Sequence, residues 1–202
     1  MSTKEHWETV YKTKEPHDVG WTQIYPAPSL QMIRDLDLPK STSIIDIGGG
    51  DSHLAEYLLK EGFTDITVLD LSEHAIKRAK KRLGRKSKKV KWIISDILDF
   101  KPERSYDLWH DRAAFHFLTE ADQIRKYTEL ASKTVTGYLT IGTFSTDGPK
   151  KCSGLNIRQY DEPLLREEFS KCFELIESFR EDHTTPSGNK QNFIFGTLKK
   201  LT

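Results

Sequence analysis

The sequence predicts an α/β fold in which a doubly wound, mostly parallel sheet of seven strands ends in a C-terminal antiparallel hairpin. From residue 43 onward, short apolar runs alternate with helical segments, which is typical of a parallel sheet covered by helices on both faces. The last two runs, "CFELIESFRE" and "QNFIFGTLKK", have no helix between them, so we expect them to pair as the hairpin. A length of 202 residues without an internal repeat fits a single domain.

Two helices are expected before the regular part of the chain. Trp7 and Tyr11 have helical spacing within residues 3–13. The run "SLQMIRDLDL" then predicts a second helix from Ser29 that stops before Pro39.

The regular part predicts five parallel strands and three helices. In chain order the strands are "SIIDIG", "DITVLD", "VKWIIS", "YDLWH" and "GYLTIGTFS". The first two helices are "HLAEYLLKEG" and "SEHAIKRAKKRLG", the second with Ser72 as N-cap and Gly84 as its stop. A third helix is expected to open at Thr119, with Asp122 three residues on, and to run to about Lys133.

Composition argues against several classes of function. Lys and Arg number 31 against 30 Asp and Glu, so no overall field attracts nucleic acid or an anionic membrane. The two cysteines, Cys152 and Cys172, form neither a CxxC motif nor a zinc-type spacing, which favours a cytoplasmic setting without a metal site. The N-terminus lacks the apolar core of a signal peptide, and no run approaches about 20 apolar residues. We expect a cytoplasmic monomer that neither spans a membrane nor binds nucleic acid.

A glycine-rich turn, "DIGGGDS" at residues 46–52, follows the first buried strand. In a doubly wound sheet, ligands bind beyond the carboxyl ends of the strands, where the strand order reverses. Glycine lacks a Cβ and permits positive φ, so the backbone of Gly48, Gly49 and Gly50 can approach a ligand closely. Such turns also occur for packing alone, and the turn by itself leaves both interpretations open.

An acid closes each of the next two strands. Asp70 stands 22 positions after Gly48, where a carboxylate can accept hydrogen bonds from both hydroxyls of an adenosine ribose. Asp96 could accept from the amine of adenine, with Ile97 against the ring. Helix capping is the alternative role for each acid. Together, the turn and Asp70 predict a nucleoside-type cofactor.

The residues after the glycines indicate which cofactor. A dinucleotide motif needs a third spaced glycine where His53 stands, and no Gly-Lys-Ser/Thr follows for a P-loop. Asp51, followed by Ser52, puts a carboxylate at the helix N-terminus, where it would repel a phosphate. S-adenosylmethionine (SAM) has an adenosine and a cationic methionine end but no phosphate, so it fits these residues better than NAD.

This pattern resembles the class I (seven-β-strand) SAM-dependent methyltransferases, which have a Rossmann-like fold. The resemblance covers the chain from about residue 28 and departs from the family pattern at Ser52, where a last glycine is usual. It implies one domain over residues 1–202, with a helical cap or lid at 1–40 and a Rossmann-like core at 41–202. The cofactor contacts that it implies are Asp46, Gly48, Gly49, Gly50, Asp51, Ser52, Asp70, Leu71, Ser72, Asp96, Ile97, His110 and Trp21.

The stretch "HDRAAFHF" at residues 110–117 would lie on the acceptor side of SAM. His110 or Asp111 could accept a proton or orient the acceptor, and Arg112 would suit an acidic group. The alternative is a structural ion pair between Asp111 and Arg112. Phe115 and Phe117 could form aromatic walls for a cation, although a core role is favoured for both.

Side chains from three other stretches could shape the acceptor pocket. Trp21 and Tyr25 lie on an N-terminal loop that would either cover the cofactor as a lid or simply anchor the segment. Cys152 is interpreted as a passive small residue rather than a nucleophile. His183, in the hairpin turn, is expected to face solvent or to cap.

Ten Lys or Arg and no acid lie between Lys77 and Lys91. A solvated helix face is favoured over a docking face for an acidic protein or RNA. Three hypotheses for the function follow: methylation of a protein side chain, most plausibly lysine; N-, O- or S-methylation of a small molecule; and a catalytically silent SAM-fold protein that acts as a binding partner.

Overall fold

A computed structural model describes residues 2–201, which form two N-terminal helices, a seven-stranded sheet with its covering helices, and a small separate ribbon. The N-terminal helices are α1 (Thr3–Thr13) and α2 (Ala27–Asp35). The parallel part comprises β1 (Ser43–Ile47), α3 (Leu54–Lys60), β2 (Asp65–Asp70), α4 (Glu73–Leu83), β3 (Val90–Ile94), β4 (Tyr106–Arg112), α5 (Ala121–Thr134) and β5 (Val135–Phe144). The C-terminal part comprises β6 (Lys151–Cys152), β7 (Leu155–Asn156), α6 (Glu162–Phe169), β8 (Phe173–Thr184) and β9 (Lys190–Lys200).

The strand order of the sheet is β3-β2-β1-β4-β5-β9-β8. β1 pairs in parallel with both β2 and β4, so the strand order reverses at β1 and a crevice opens beyond its carboxyl end. β9 is antiparallel to β5 and to β8. The predicted fold, including the C-terminal hairpin, is confirmed.

Alternation along the strands divides the core between the two faces of the sheet. Ile44 and Leu108 pack with α2 and α3, whereas their neighbours Ile45 and Trp109 pack with α5 and α6. Successive side chains of a strand point to opposite faces, so this apolar run is buried on both sides, as expected for parallel strands.

Several boundaries and elements differ from the sequence expectation. Helix α2 begins at Ala27 rather than Ser29. Helix α5 begins after Glu120, whose N–H donates to the Gln123 side chain at 3.3 Å, so the cap is one residue later than predicted. Helix α6 and the β6–β7 ribbon were not predicted; the two-residue strands of the ribbon are too short to show periodicity. Across residues 2–201, every helix is too short or too polar to cross a bilayer.

Candidate functional site

A cleft of about 960 Å³, counting its open mouth, lies at the carboxyl ends of β1 to β4. We call it the main cleft. Its lining includes Trp7, Tyr11, Trp21, Gly48, Asp70, Leu71, Asp96, Ile97, Leu98, Arg112, Ala113, Phe117, Leu118 and Cys152. A smaller polar chamber adjoins it and shares Tyr11, Trp21, Gly48 and Arg112. The polar chamber is also lined by Gln23, Ser29, Asp46, Gly49, Asp51, Ser52, Arg78 and His110.

The glycine turn needs glycine for steric reasons. Gly48 has φ +65°, and a Cβ there would lie 2.8 Å from the Cβ of Ala114. At Gly50, a Cβ would come within 2.5 Å of a carboxylate oxygen of Asp70. The turn therefore leaves room both for the Asp70 carboxylate and for a ligand beside Gly48.

Asp70 is buried at the end of β2, with 6% of its surface exposed. The N–H of Gly50 donates to one carboxylate oxygen at 2.9 Å, and the N–H of Ser72 donates to the other at 2.7 Å. Burial raises the pKa of Asp70 to about 6, although both N–H donors oppose the rise. Each oxygen has a second lone pair, so Asp70 can still accept two hydroxyl groups from a ligand.

Glu8 of helix α1 holds that helix over the main cleft, because its carboxylate reaches the N-terminus of α4. The Glu8 carboxylate accepts hydrogen bonds from Glu73 N at 2.7 Å and from Ser72 Oγ at 3.2 Å, and it also bonds the ring of His74. A carboxylate at a helix N-terminus is stabilised by the free N–H groups and the helix dipole. This contact fixes the position of the next turn of α1.

Aromatic side chains from three segments form the roof of the main cleft. The ring centroid of Trp7 lies 5.4 Å from that of Trp21 and 5.1 Å from that of Phe117, both edge-on. Tyr11 contacts the edge of Trp21 at 6.2 Å. We call Trp7, Tyr11, Trp21 and Phe117 the aromatic roof, and together they cover the cleft with apolar surface.

One part of the main cleft is apolar around a single carboxylate, that of Asp96. Leu71, Ile97 and Leu98 line it beside Asp96. One Asp96 oxygen accepts from the N–H of Leu98 at 2.9 Å. Asp96 therefore caps the turn after β3 and also lines the cleft, so the two roles considered for it coexist.

The polar chamber contains buried polar atoms that have no partner within residues 2–201. They are Oε1 of Gln23, Oγ of Ser29, Oδ2 of Asp46, and Nε and Nη2 of Arg112. Burial, together with nearby Asp111 and Asp70, raises the pKa of Asp46 well above its usual range. Buried polar groups are normally hydrogen-bonded, so this chamber is suited to a ligand that carries both donors and acceptors.

Asp51 does not present a free negative charge. Its carboxylate forms an ion pair with Arg78, Nε to Oδ2 3.1 Å, and another with Arg82. The charge argument against a phosphate therefore loses its force, because two guanidinium groups offset this acid. Ser52 lines the polar chamber but is largely exposed, and its Oγ accepts from Leu54 N at 3.0 Å at the start of α3.

The predicted triplet His110, Asp111 and Arg112 forms the end of β4, which runs two residues further than expected, and strand alternation divides it. His110 and Arg112 point to one face, where both line the polar chamber. Asp111 points to the other face, where its carboxylate accepts from Tyr127 Oη at 2.7 Å and from the N–H groups of Ala114 and Phe115. The interpretation of Asp111 as a proton acceptor is thus corrected: the side chain is in the core and braces the turn after β4.

His110 is buried and electrically neutral. Its Nδ1 lies 3.0 Å from Thr140 Oγ1. Burial, and then the charge of Arg112, lowers the pKa of His110 to about 3. A histidine with so low a pKa is a weak base, which does not favour the predicted role in accepting a proton.

Arg112 is the positive charge at the junction of the two spaces. Its Nη1 donates to the carbonyl oxygen of Trp21 at 3.0 Å, and the guanidinium lies 5.0 Å from the ring centroid of Phe193. The ion pair with Asp111 considered from the sequence does not form. Burial lowers the pKa of Arg112 to about 10, so the group stays charged at neutral pH.

Four other side chains singled out in the sequence have different surroundings. Phe115 is fully buried in the core, as favoured. Tyr25 contacts Tyr57 away from the cleft. Cys152 lines the cleft with its pKa raised to about 12 by burial, which agrees with a passive role. His183 is buried rather than solvent-facing, and its Nε2 donates to Gly20 O at 2.7 Å.

Gly50 and Ser72 act through Asp70 rather than at the surface of either space. Both donate a backbone N–H to its carboxylate, and the Ser72 side chain caps α4 by accepting from Ala75 N at 3.2 Å. Sequence reasoning did not assign Trp7 and Tyr11 to the main cleft or Gln23 and Ser29 to the polar chamber. It also missed the role of Glu8. Trp7 and Tyr11 carried a usable signal, because their apolar stripe requires a partner surface.

Comparison with known proteins gives one family match. Residues 44–137 match the family model described as "Methyltransferase domain". Malonyl-[acyl-carrier protein] O-methyltransferase 1 of Ilyobacter polytropus is 31% identical over 94 residues, covering 46% of this chain and 34% of that protein. EEF1A lysine methyltransferase 2 of Homo sapiens is 23% identical over 211 residues, covering 96% of this chain and 84% of that protein. The chain thus spans about a third of the first relative and most of the second.

A similar fold occurs in a solved structure of 1,6-didemethyltoxoflavin-N1-methyltransferase from Burkholderia thailandensis, which holds 1,6-didemethyltoxoflavin and S-adenosylhomocysteine (SAH). The TM-score is 0.76 at 19% identity, and the match covers 98% of this chain and 87% of that one. At this identity the likeness concerns the fold.

Proposed function

The chain contains a class I SAM-dependent methyltransferase domain, and from this premise we propose that it transfers the methyl group of SAM to a small-molecule acceptor enclosed in the main cleft. The observation that carries the proposal is the buried Asp70 carboxylate beside the Gly48 turn, at the edge of this cleft.

The residues present suit the parts of SAM. Asp70 suits the ribose hydroxyls, and Asp96 with Ile97 suits the adenine edge and face. The polar chamber suits the zwitterionic methionine end, because Asp46 can accept from an ammonium and the Ser29 hydroxyl can donate to a carboxylate. The unpartnered atoms of Gln23, Ser29 and Asp46 would then have partners.

When bound, SAM supplies an electrophilic methyl group on a positively charged sulfur. The chain itself must hold the acceptor in line with that group and exclude water. The aromatic roof supports the second task, and its ring faces attract a positive charge. Arg112 lines the main cleft, and this cleft is open beside Gly48, which argues against a catalytically silent protein.

The covered cleft favours a small acceptor. Helix α1 and the Trp21 loop lie over the space beside Gly48, whereas a protein side chain would need an open channel to a flat surface. A lysine of a protein is the second candidate, since the human relative that aligns with 96% of this chain is a lysine methyltransferase.

Calorimetry with SAM and SAH tests the cofactor assignment. We expect wild-type protein to bind both, and Asp70→Ala to lose about 100-fold in affinity, because two hydrogen bonds to a charged group are removed. Asp70→Asn retains one acceptor oxygen and the size of the side chain. It therefore shows whether the loss in Asp70→Ala comes from missing hydrogen bonds to the ligand or from a disturbed glycine turn.

The matched control is Asp107→Ala, since Asp107 also accepts a backbone N–H, that of Ser43 at 2.9 Å, but at the amino end of β4. Equal binding by wild type and Asp70→Ala would refute the assignment. Labelled SAM incubated with fractionated extract then identifies the acceptor, and label found only on protein would overturn the small-molecule proposal.

A further inference from the structure

Arg112 has binding capacity that the protein does not use. Of its nitrogens, Nη1 donates to Trp21 O, whereas Nε and Nη2 have no partner within residues 2–201. The ring of Phe193 and the uncharged carbonyl of Trp21 contact it. Cys152, Glu181 and Asp46 lie near enough to act on its pKa, but none of them forms an ion pair with it among residues 2–201. A guanidinium in such surroundings is well suited to a carboxylate, which it can bind through two parallel hydrogen bonds.

The same part of the cleft lacks a side chain that could act as a general base for an acceptor that must lose a proton. The titratable residues that line the main cleft in the described chain are Tyr11, Asp70, Asp96, Arg112 and Cys152. Asp70 and Asp96 accept backbone N–H groups and lie on the nucleoside side. The thiol of Cys152 and the hydroxyl of Tyr11 have raised pKa values because both are buried.

A protonated amine would therefore meet a fixed positive charge and no suitable base. An acceptor that is already anionic at neutral pH meets neither obstacle. The aromatic roof and Ala113 line the same cleft with largely apolar surface, so the rest of the acceptor must be apolar or aromatic.

We infer that Arg112 determines acceptor specificity by binding a carboxylate on a small, largely apolar acceptor. The inference rests on the proposed function, since it concerns the acceptor side of the same cleft. The methionine carboxylate of the cofactor is the other possible source of such a group, and the experiment separates the two.

The test uses the full chain saturated with SAH and three probes of one shape: benzoate, benzyl alcohol and benzylamine. Calorimetry or ligand-observed NMR should show benzoate binding about tenfold more tightly than benzyl alcohol and benzylamine binding most weakly. Arg112→Met should abolish the preference for benzoate, while Arg112→Lys should retain part of it. Arg158→Met is the control, since Arg158 pairs with Glu168 and does not line the cleft.

Three results would overturn the inference: benzoate that does not bind, benzylamine that binds at least as well, or a benzoate preference that survives in Arg112→Met. A fourth would assign Arg112 to the cofactor instead, namely weaker binding of SAH by Arg112→Met with unchanged binding of 5′-methylthioadenosine, which lacks the carboxylate. Failure of wild-type protein to bind SAH is a different result and would refute the proposed function itself.

Discussion

Gly48 joins β1, where the strand order reverses, to the ligand-facing turn. Its N–H donates to Leu69 O at 2.8 Å, which ties the turn to β2, and its φ of +65° directs the chain across the end of β1. A side chain at this position would be strained by the backbone conformation and would also strike Ala114. Backbone strain and steric overlap can be measured separately, because some glycines of this chain have a positive φ without a close neighbour.

Gly48→Ala should destabilise the protein by about 2–4 kcal/mol, from positive φ and from overpacking against Ala114. Gly154→Ala is the matched control, because Gly154 has φ +80° and nothing within 4 Å of the added Cβ. It should cost only about 1 kcal/mol. Urea denaturation measures both values, and equal losses would show that contact with Ala114 is unimportant. SAH affinity should fall only in Gly48→Ala.

Much of the candidate site could be predicted from single residues. The positions of Gly48, Asp70 and Asp96 at strand ends follow from the strand pattern, and all three line the main cleft. The surroundings of Asp111 could not be predicted, because spacing shows that residues 110 and 112 share a face but not which face meets the cleft. The pairing of Asp51 with Arg78 and Arg82 required knowing that α4 packs beside the turn.

The Glu8 carboxylate connects helix α1 to the start of α4. Burial alone would raise the pKa of Glu8, but hydrogen bonds from His74, Glu73 and Ser72 outweigh it, and the pKa lies below its usual value. A lowered pKa means that the contact stabilises the folded state above the ordinary pKa of 4.5 and is lost as the pH falls below it. The docking of α1 is thus coupled to the ionisation of Glu8.

Glu8→Gln should loosen α1 without unfolding the protein. We expect amide hydrogen exchange in residues 3–13 to accelerate and SAH to dissociate about tenfold faster, while the free energy of unfolding changes by about 1 kcal/mol or less. In wild type, protection of α1 should decline in the same way as the pH falls below 4.5. Glu5→Gln is the control, because Glu5 caps its own helix through Ser2. Identical exchange in the two variants would contradict a role for Glu8 in docking.

Element existence was easier to predict than element ends or short elements. The strands of the sheet have five or more residues each, whereas β6 and β7 have two residues each, too few for a pattern. Helix α6 did carry a signal, an Asp161 N-cap whose side chain accepts from Leu164 N at 3.0 Å, with a proline at the start of the helix. The hairpin was predictable because no helical segment separates its strands.

At the scale of the whole molecule, charge is distributed unevenly. The net charge is +1, yet ten Lys or Arg and no acid occupy residues 77–91, so the remainder of the chain is acidic. Arg78 and Arg82 turn toward Asp51, Lys77 pairs with Glu73 and Lys91 pairs with Glu103. The other six cations are exposed and have no ion pair with residues 2–201. They are Lys80, Lys81, Arg85, Lys86, Lys88 and Lys89.

Neighbouring cations repel one another in the folded state. Dissolved salt weakens this repulsion, with a screening length of about 10 Å at 0.1 M. The stability of wild type should therefore rise as NaCl is increased from low concentration. Replacing Lys81, Lys86 and Lys88 by Gln should raise the free energy of unfolding at low salt by about 1 kcal/mol and flatten its salt dependence. The control replaces three exposed lysines elsewhere, Lys4, Lys126 and Lys171.

Urea denaturation of the three proteins at several NaCl concentrations distinguishes the outcomes. If repulsion in the 77–91 segment controls the salt response, only the first variant loses that response, and its stability matches wild type at high salt. If both variants respond alike, the unpaired cations are too widely spaced and too well hydrated to repel measurably. The segment would then be a solvated face without cost to folding, which is the interpretation favoured by its sequence alone.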